Sequence, residues 1–203
     1  MMPPSLISFV ETTHSTNLLL NEIVENYKNT GSRLPDFFCV ASDFQTAGKG
    51  QGNKSWLSAK GENILASFYF QPSILPQQQL YFNCFFALTV RKVLSQYIDN
   101  VMIKKPNDIY VEDKKVAGIL IEHHIQGEQL KYSVAGVGIN VNQTHFDPVL
   151  PNPTSLKLLI GKNISREVLL EEIIQVGKEY YHQLQAGAFM ELENEYESYV
   201  LNQ

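Results

Sequence analysis

Residues 108–142 read DIYVEDKKVAGILIEHHIQGEQLKYSVAGVGINVN. The runs DIYVED, KKVAGILIEHHI and QLKYSVAGVGINVN are rich in apolar and β-branched residues. Polar turns at Glu112-Asp113-Lys114 and Gln126-Gly127-Glu128 separate them. Such runs joined by tight turns predict three consecutive strands in an antiparallel meander. Just upstream, VMIK at 101–104 reads as another strand that stops at Pro106. Proline cannot donate to a sheet ladder and disfavours a central strand there.

Working toward the N-terminus, ENILASFYF (62–70) predicts an interior strand, FFCVASDF (37–44) a buried one and LISFV (6–10) a short one. Ser15-Thr16-Asn17 offers capping side chains to a helix whose apolar face is Leu18, Leu19, Ile23 and Tyr27. Pro76 opens a long helix through Leu80, Cys84, Leu88, Val93 and Tyr97. TAGKGQGNKSW (46–56) has three glycines and almost no apolar content, and predicts a mobile loop. Beyond the meander the chain turns helical. TSLKLLIG starts at a Thr154 or Ser155 cap and stops at Gly161; a longer helix begins at Ser165, and another lies near 189–200. Helices mixed with hairpin-linked strands predict an α+β domain, not alternating βαβ units.

The 203 residues suit one domain, and an apolar fraction of 44% suffices for a core. A formal charge of -5 argues against general nucleic-acid binding. Six of the sixteen Lys and Arg are nevertheless concentrated at 49–54 and 104–115, which suits either a focused anion site or two solvated loops. Cys39 and Cys84 sit in apolar segments and read as buried free thiols in a reducing compartment. No secretory pattern and no apolar run of membrane-spanning length is evident, so the expected location is cytoplasmic.

Three segments have the residue types for chemistry. In the glycine loop, Asn53 stands where a Walker motif, and equally a dinucleotide fingerprint, requires glycine. Lys49 between Gly48 and Gly50, beside Gln51, Lys54 and Trp56, still combines backbone amides, an ammonium and an indole, which suits a phosphate next to an apolar group. The second segment is Lys104-Lys105-Pro106-Asn107-Asp108 followed by Lys114-Lys115-Val116-Ala117-Gly118. Its lysines are either sheet-solubilising turn residues or ligand cations, with Gly118 leaving backbone open to approach. In the third, Gly136 and Gly138 strip side chains from one face of a strand ahead of Asn140, as if something flat lay there. His123 and His124, adjacent in a strand, point to opposite faces and cannot share a metal.

In this order, from Ser15 to about Ser155, these segments resemble the catalytic domain of biotin–protein ligases. The resemblance implies a mixed, mainly antiparallel sheet flanked by helices, like that of lipoate ligases and class II aminoacyl-tRNA synthetases. It implies contacts to biotin from Ser15, Thr16, Gln45, Gly48, Lys115 and Gly118. It implies nucleotide contacts from Lys49, Gly50, Gln51, Trp56, Lys104, Asn107 and Asn140, with Lys115, Asp108 and Lys49 as catalytic residues. ATP and Mg²⁺ follow as cofactors, the ion held on ATP phosphates with Asn140 as its protein-side candidate. The implied partner is a biotin carboxyl carrier protein; neither DNA nor membrane is expected, and a homodimer is compatible with the family. The expected organisation is one catalytic domain over 1–203, with no DNA-binding helix-turn-helix ahead of it and the SH3-like C-terminal domain of many members absent or truncated. Departures from the family pattern stand out: Lys105 replaces the tryptophan of its Lys-Trp-Pro-Asn-Asp segment, and the glycine loop, Gly-Arg-Gly in the family, has Lys49, Gln51, Asn53 and Lys54 where family loops often carry two or more arginines.

The chemistry fits these residue types. A carboxylate attacking the ATP α-phosphate is anion meeting anion, so fixed cations in a sheltered site must offset the repulsion. Lys49 and Lys115 are assigned that task, with Lys104 in support. The carrier amine, with a reference pKa of ~10.4, must lose a proton before it attacks the adenylate; Asp108, about six units lower, orients that amine and stabilises its developing charge. A glycine loop closing over the mixed anhydride would exclude water. A lipoate or octanoate ligase on the same scaffold, and a non-catalytic biotin-binding module, are the alternatives.

Overall fold

The computed structural model describes residues 6–201. Strand β1 (Ile7–Thr13) lies parallel to β2 (Cys39–Gln45), and helix α1 (Thr16–Asn29) connects them. All other pairings are antiparallel: β2 with β3 (Ile64–Phe70), β3 with β7 (Gln129–Ile139), β7 with β6 (Lys114–Gln126), β6 with β5 (Asp108–Val111), and β5 with β4 (Val101–Lys104). The seven-stranded order is β1-β2-β3-β7-β6-β5-β4, so the expected α+β class and the β5-β6-β7 meander are both present. Residues 199–201 hydrogen-bond to Ile103 and cover the outer edge of β4.

Two layers flank the sheet. One face carries the main core, where α2 (Gln79–Leu94), α4 (Arg166–Gln185) and α5 (Phe189–Ser198) pack. At its centre, Phe70 meets Phe37, Phe82, Phe85 and Phe86 edge-on at 4.8–6.0 Å between ring centroids. Each such buried ring contributes ~1.5–3 kcal/mol, so this cluster anchors the sheet. On the opposite face α1 covers only β2, β3 and one end of β7, through Leu20, Val24, Val40, Tyr69, Tyr132 and Val134. Among the described residues no helix packs broadly on the rest of that face, over β5, β6 and the end of β7, which α1 reaches only through Asn17.

Several local expectations shift. The buried positions of α1 are Thr16, Asn17, Leu20 and Val24, whereas Leu18 and Tyr27 are exposed. The polar start of the helix turns inward and rotates the stripe away from the leucine pair. Pro76 opens a short 3₁₀ turn, α2 begins at Gln79, Leu80 is exposed and Tyr97 lies beyond the helix end. Phe37 has a positive φ of 67°, so β2 starts only at Cys39. Ser155, not Thr154, caps the short helix α3 (Leu156–Ile160), accepting a hydrogen bond from the Leu158 N–H, and Gly161 ends it in the left-handed region. Both cysteines are buried and free, and burial pushes the Cys84 thiol up to about 12.

Candidate functional site

The site begins with a break in strand alternation. Ile109 pairs with Ala117, but its neighbour Tyr110 pairs with Lys115, leaving Val116 as an extra residue on β6. In an unbroken strand Lys115 would share the core face with Ala117 and Ile119. The bulge lets Val116 and Ala117 both enter the core and turns Lys115 to the uncovered face beside Gly118. There its ammonium lies 2.7 Å from the Asp108 carboxylate and 5.5 Å from the centre of the Trp56 ring. The segment before α3 locks this geometry: the Lys115 N–H donates to the Asn152 carbonyl and the Thr154 N–H to that of Lys115.

The loop 46–56 folds into a small hairpin. Lys49 bridges Ser55, the Gly50 N–H donates to the Lys54 carbonyl, and the Trp56 N–H donates to that of Gly48 at 2.9 Å. Gly48 is obligatory here, because a Cβ would stand 2.6 Å from the Trp56 carbonyl oxygen. The hairpin lowers the Trp56 indole onto the bare backbone of Gly118 and Gly138, and Asn17 occupies the space above Gly136. What lies on the paired glycines is thus, in part, the protein's own side chains. The indole Nε1 is buried without a hydrogen-bond partner.

At the other end, the start of α1 brings polar groups inside. Ser15, Thr16, Asn17 and Ser67 are all at most 4% exposed. The Thr16 N–H donates to Gln45 Oε1 at 2.7 Å, and the Thr16 and Ser67 hydroxyl oxygens are 2.7 Å apart. Ser15 holds the N-cap position but makes no side-chain capping bond, contrary to its expected role.

These parts enclose a cavity of about 460 Å³, within the range of small-molecule sites. Of the expected residues, Ser15, Thr16, Gln45, Lys49, Gly50, Gln51, Trp56, Asp108, Lys115, Gly118 and Asn140 line it. Three do not. Gly48 is buried at the base of the hairpin, against Trp56. Lys104 is not part of the lining; its ammonium lies 5.0 Å from the centre of the Tyr110 ring. Asn107 is spent on structure, its amide and carbonyl bonding the backbone of Ile119. Among the lining residues, Asn17, Tyr110 and the wall of Val149, Leu150, Pro151 and Pro153 were missed, as were Ser67 and Glu122, which stand behind Asn17 and hydrogen-bond to it. Tyr110 shares strand parity with Asp108, and burial together with that carboxylate holds its phenol above the usual range. Ser67 is a small hydroxyl in an otherwise apolar run; the wall, contributed by a loop, has no pattern that would reveal it.

Among the described residues no group of three His, Cys, Asp or Glu could hold a metal, and no helix is long and apolar enough to cross a membrane. His123 and His124 do face opposite ways, onto Phe82 and Tyr132.

Comparison with known proteins gives this geometry a family. Residues 9–140 match the model of the biotin/lipoate A/B protein ligase family. The bifunctional ligase/repressor BirA of Bacillus subtilis is 28% identical over 194 residues, covering 91% of this chain and 60% of that protein. The chain therefore spans less than two thirds of this relative. The biotin protein ligase of Aquifex aeolicus, solved with biotin and ATP, superposes with a TM-score of 0.80 at 25% identity, over 96% of this chain and 78% of the other. The Leishmania major biotin protein ligase shares the fold, at a TM-score of 0.78 and 19% identity over 98% of this chain and 83% of the other. A bulged strand that turns a lysine toward a glycine-floored cavity is thus seated in a fold with known relatives, and the chain belongs to the biotin/lipoate A/B protein ligase family.

Proposed function

We propose that this chain is a biotin–protein ligase: it joins biotin to ATP as biotinyl-5′-AMP, releasing pyrophosphate, and passes biotin to a lysine amine of a biotin carboxyl carrier protein, forming an amide and releasing AMP. The observation that carries the reading is the convergence of Thr16, Gln45, Lys49, Asp108 and Lys115 on one cavity. One end of that cavity is a buried polar network suited to a ureido head. The other has ammonium groups suited to phosphate. The family match and the ligands of the Aquifex relative support it.

In this reading Lys49 and Lys115 offset the charge that builds as carboxylate meets α-phosphate. Lys115 starts paired with Asp108. As the ammonium turns to the new anhydride, Asp108 is released to hold the incoming carrier amine. Lys104, outside the cavity, contributes only through its field. Magnesium would arrive on the nucleotide's phosphates, as that ion usually does, with the Asn140 amide oxygen as its protein-side contact. The reading places the protein in the cytoplasm with its carrier; sheet-edge homodimerisation belongs to it as well, and light scattering of the ligand-loaded protein reads it.

A lipoate ligase on this scaffold would need a long apolar tunnel where Thr16, Ser67 and Asn17 stand. The test is pyrophosphate exchange with ATP and either biotin or lipoate, followed by transfer to a carrier domain. Biotin-dependent exchange and labelling are expected; exchange with lipoate alone would overturn the reading.

A further inference from the structure

The polar end of the cavity is one proton short. Asn17 Nδ2 donates to Glu122 Oε2 at 2.8 Å and, more weakly, to the Leu120 carbonyl at 3.3 Å. Both partners are acceptors, so the amide orientation is set and Asn17 Oδ1 must face Ser67, whose oxygen is 2.6 Å away. At the other end, the Thr16 N–H sets Gln45 with Oε1 toward Thr16. Between these fixed ends lie three oxygen–oxygen contacts: Asn17 to Ser67, Ser67 to Thr16 at 2.7 Å, and Thr16 to Gln45 at 3.1 Å. Two hydroxyls supply only two protons for them.

The two short contacts take the protons. On that assignment Ser67 donates to Asn17 and Thr16 donates to Ser67, in place of the competing Thr16-to-Gln45 bond at 3.1 Å. Thr16 Oγ1 and Gln45 Oε1 are then left 3.1 Å apart with no hydrogen between them, both lining the cavity. A ligand N–H placed at that gap supplies what is missing; an ether or carbonyl oxygen, which has no proton to give, does not.

Resting on the proposed function, we infer that Ser67 and Glu122 are positioning residues for ligand recognition. Acting through Asn17, they commit the Thr16 proton inward and leave Thr16 and Gln45 as a paired acceptor for one ureido N–H. Ser67→Ala frees the Thr16 proton for Gln45 and closes the gap from inside. Glu122→Met removes the stronger anchor of the Asn17 amide, whereas Glu122→Gln still offers an oxygen.

The test is calorimetric titration of the wild-type chain and these variants with biotin and with each of its two ureido N-methyl analogues. Ser67→Ala and Glu122→Met are expected to weaken biotin about tenfold, as loss of one well-placed hydrogen bond does, and to shrink the preference for biotin over the sensitive N-methyl analogue. The KM for ATP should not change. Glu122→Gln should bind within about threefold of wild type. Because both act through one chain, the double variant should be no weaker than Ser67→Ala alone. Wild-type biotin affinity and analogue preference in a folded Ser67→Ala overturn the inference, even if Glu122→Met fails to fold. So does full additivity in the double variant. A wild-type chain that binds no biotin overturns instead the functional reading, and this inference with it.

Discussion

Lys115 and Asp108 form an ion pair at 2.7 Å across the β5–β6 hairpin, both partly open to the cavity. At such exposure the pair contributes only ~0–1 kcal/mol to stability, so its place in the cavity matters more than its strength. Lys115→Ala should lower biotin-dependent pyrophosphate exchange by about 10²–10³-fold, the scale of losing one preorganised charge, with the thermal midpoint nearly unchanged. Asp108→Asn should spare exchange and slow single-turnover transfer to the carrier. Near-normal exchange in Lys115→Ala would remove that residue from the mechanism.

Most of this pair was legible in the residues. The turn chemistry around Glu112 and Gln126 specified the meander, and Lys115 beside Gly118 stood out as a ligand-facing combination. The bulge was not legible. Period-two reasoning puts Lys115 on the face of Ala117, and only packing reveals that Val116 is better buried than paired. The same limit explains Asn107, whose backbone bonding is a long-range event that a Pro-Asn-Asp string does not announce. It also explains α1, where buried polar residues override the leucine pattern. Motifs whose role is set by neighbours in the chain could be read; roles set by the opposite strand could not.

Lys49 sits where the resembling family has an arginine, and it has no ion-pair partner among the described residues. An ammonium lacks the planar fork that grips phosphate through two bonds. Lys49→Arg should therefore slow escape of biotinyl-5′-AMP severalfold, by about 1 kcal/mol for one added charge-assisted bond. The measure is labelling of bystander lysines on an unrelated protein in the same tube. Unchanged bystander labelling would show that this side chain does not retain the adenylate.

His123 supplies a pH dependence far from the chemistry. Burial against Phe82, then the neighbouring His124, lower its pKa to about 4, and its Nδ1 lies 2.8 Å from the Ser133 hydroxyl. The folded state resists a proton that the unfolded chain accepts near ~6.5. Stability should thus be unaffected above that pH and fall as the pH drops from 6.5 toward 4, by at most ~3 kcal/mol from this group. His124, also lowered by burial, acts in the same direction. His123→Gln should flatten most of that slope in urea unfolding; an unaltered slope would place the effect elsewhere.

Trp56 is the chain's single tryptophan, so its fluorescence reports the glycine loop without interference. Its indole rests on Gly118 and Gly138 with Nε1 buried and unpaired. Such an orphan costs roughly 1–3 kcal/mol, which favours any ligand that gives the indole a new surface or partner. Biotin with ATP should therefore change the emission, and should also protect the loop from trypsin at Lys49 and Lys54, both exposed. A methyl group at Gly138 would overlap the ring, which is carried on a surface hairpin whereas Gly138 lies in an interior strand, so the ring should yield before the sheet does. Gly138→Ala should show red-shifted emission without ligand, along with weakened adenylate binding. A wild-type spectrum in that variant would mean that the indole does not lie on Gly138 in solution, and that the hairpin stands open before ligand arrives.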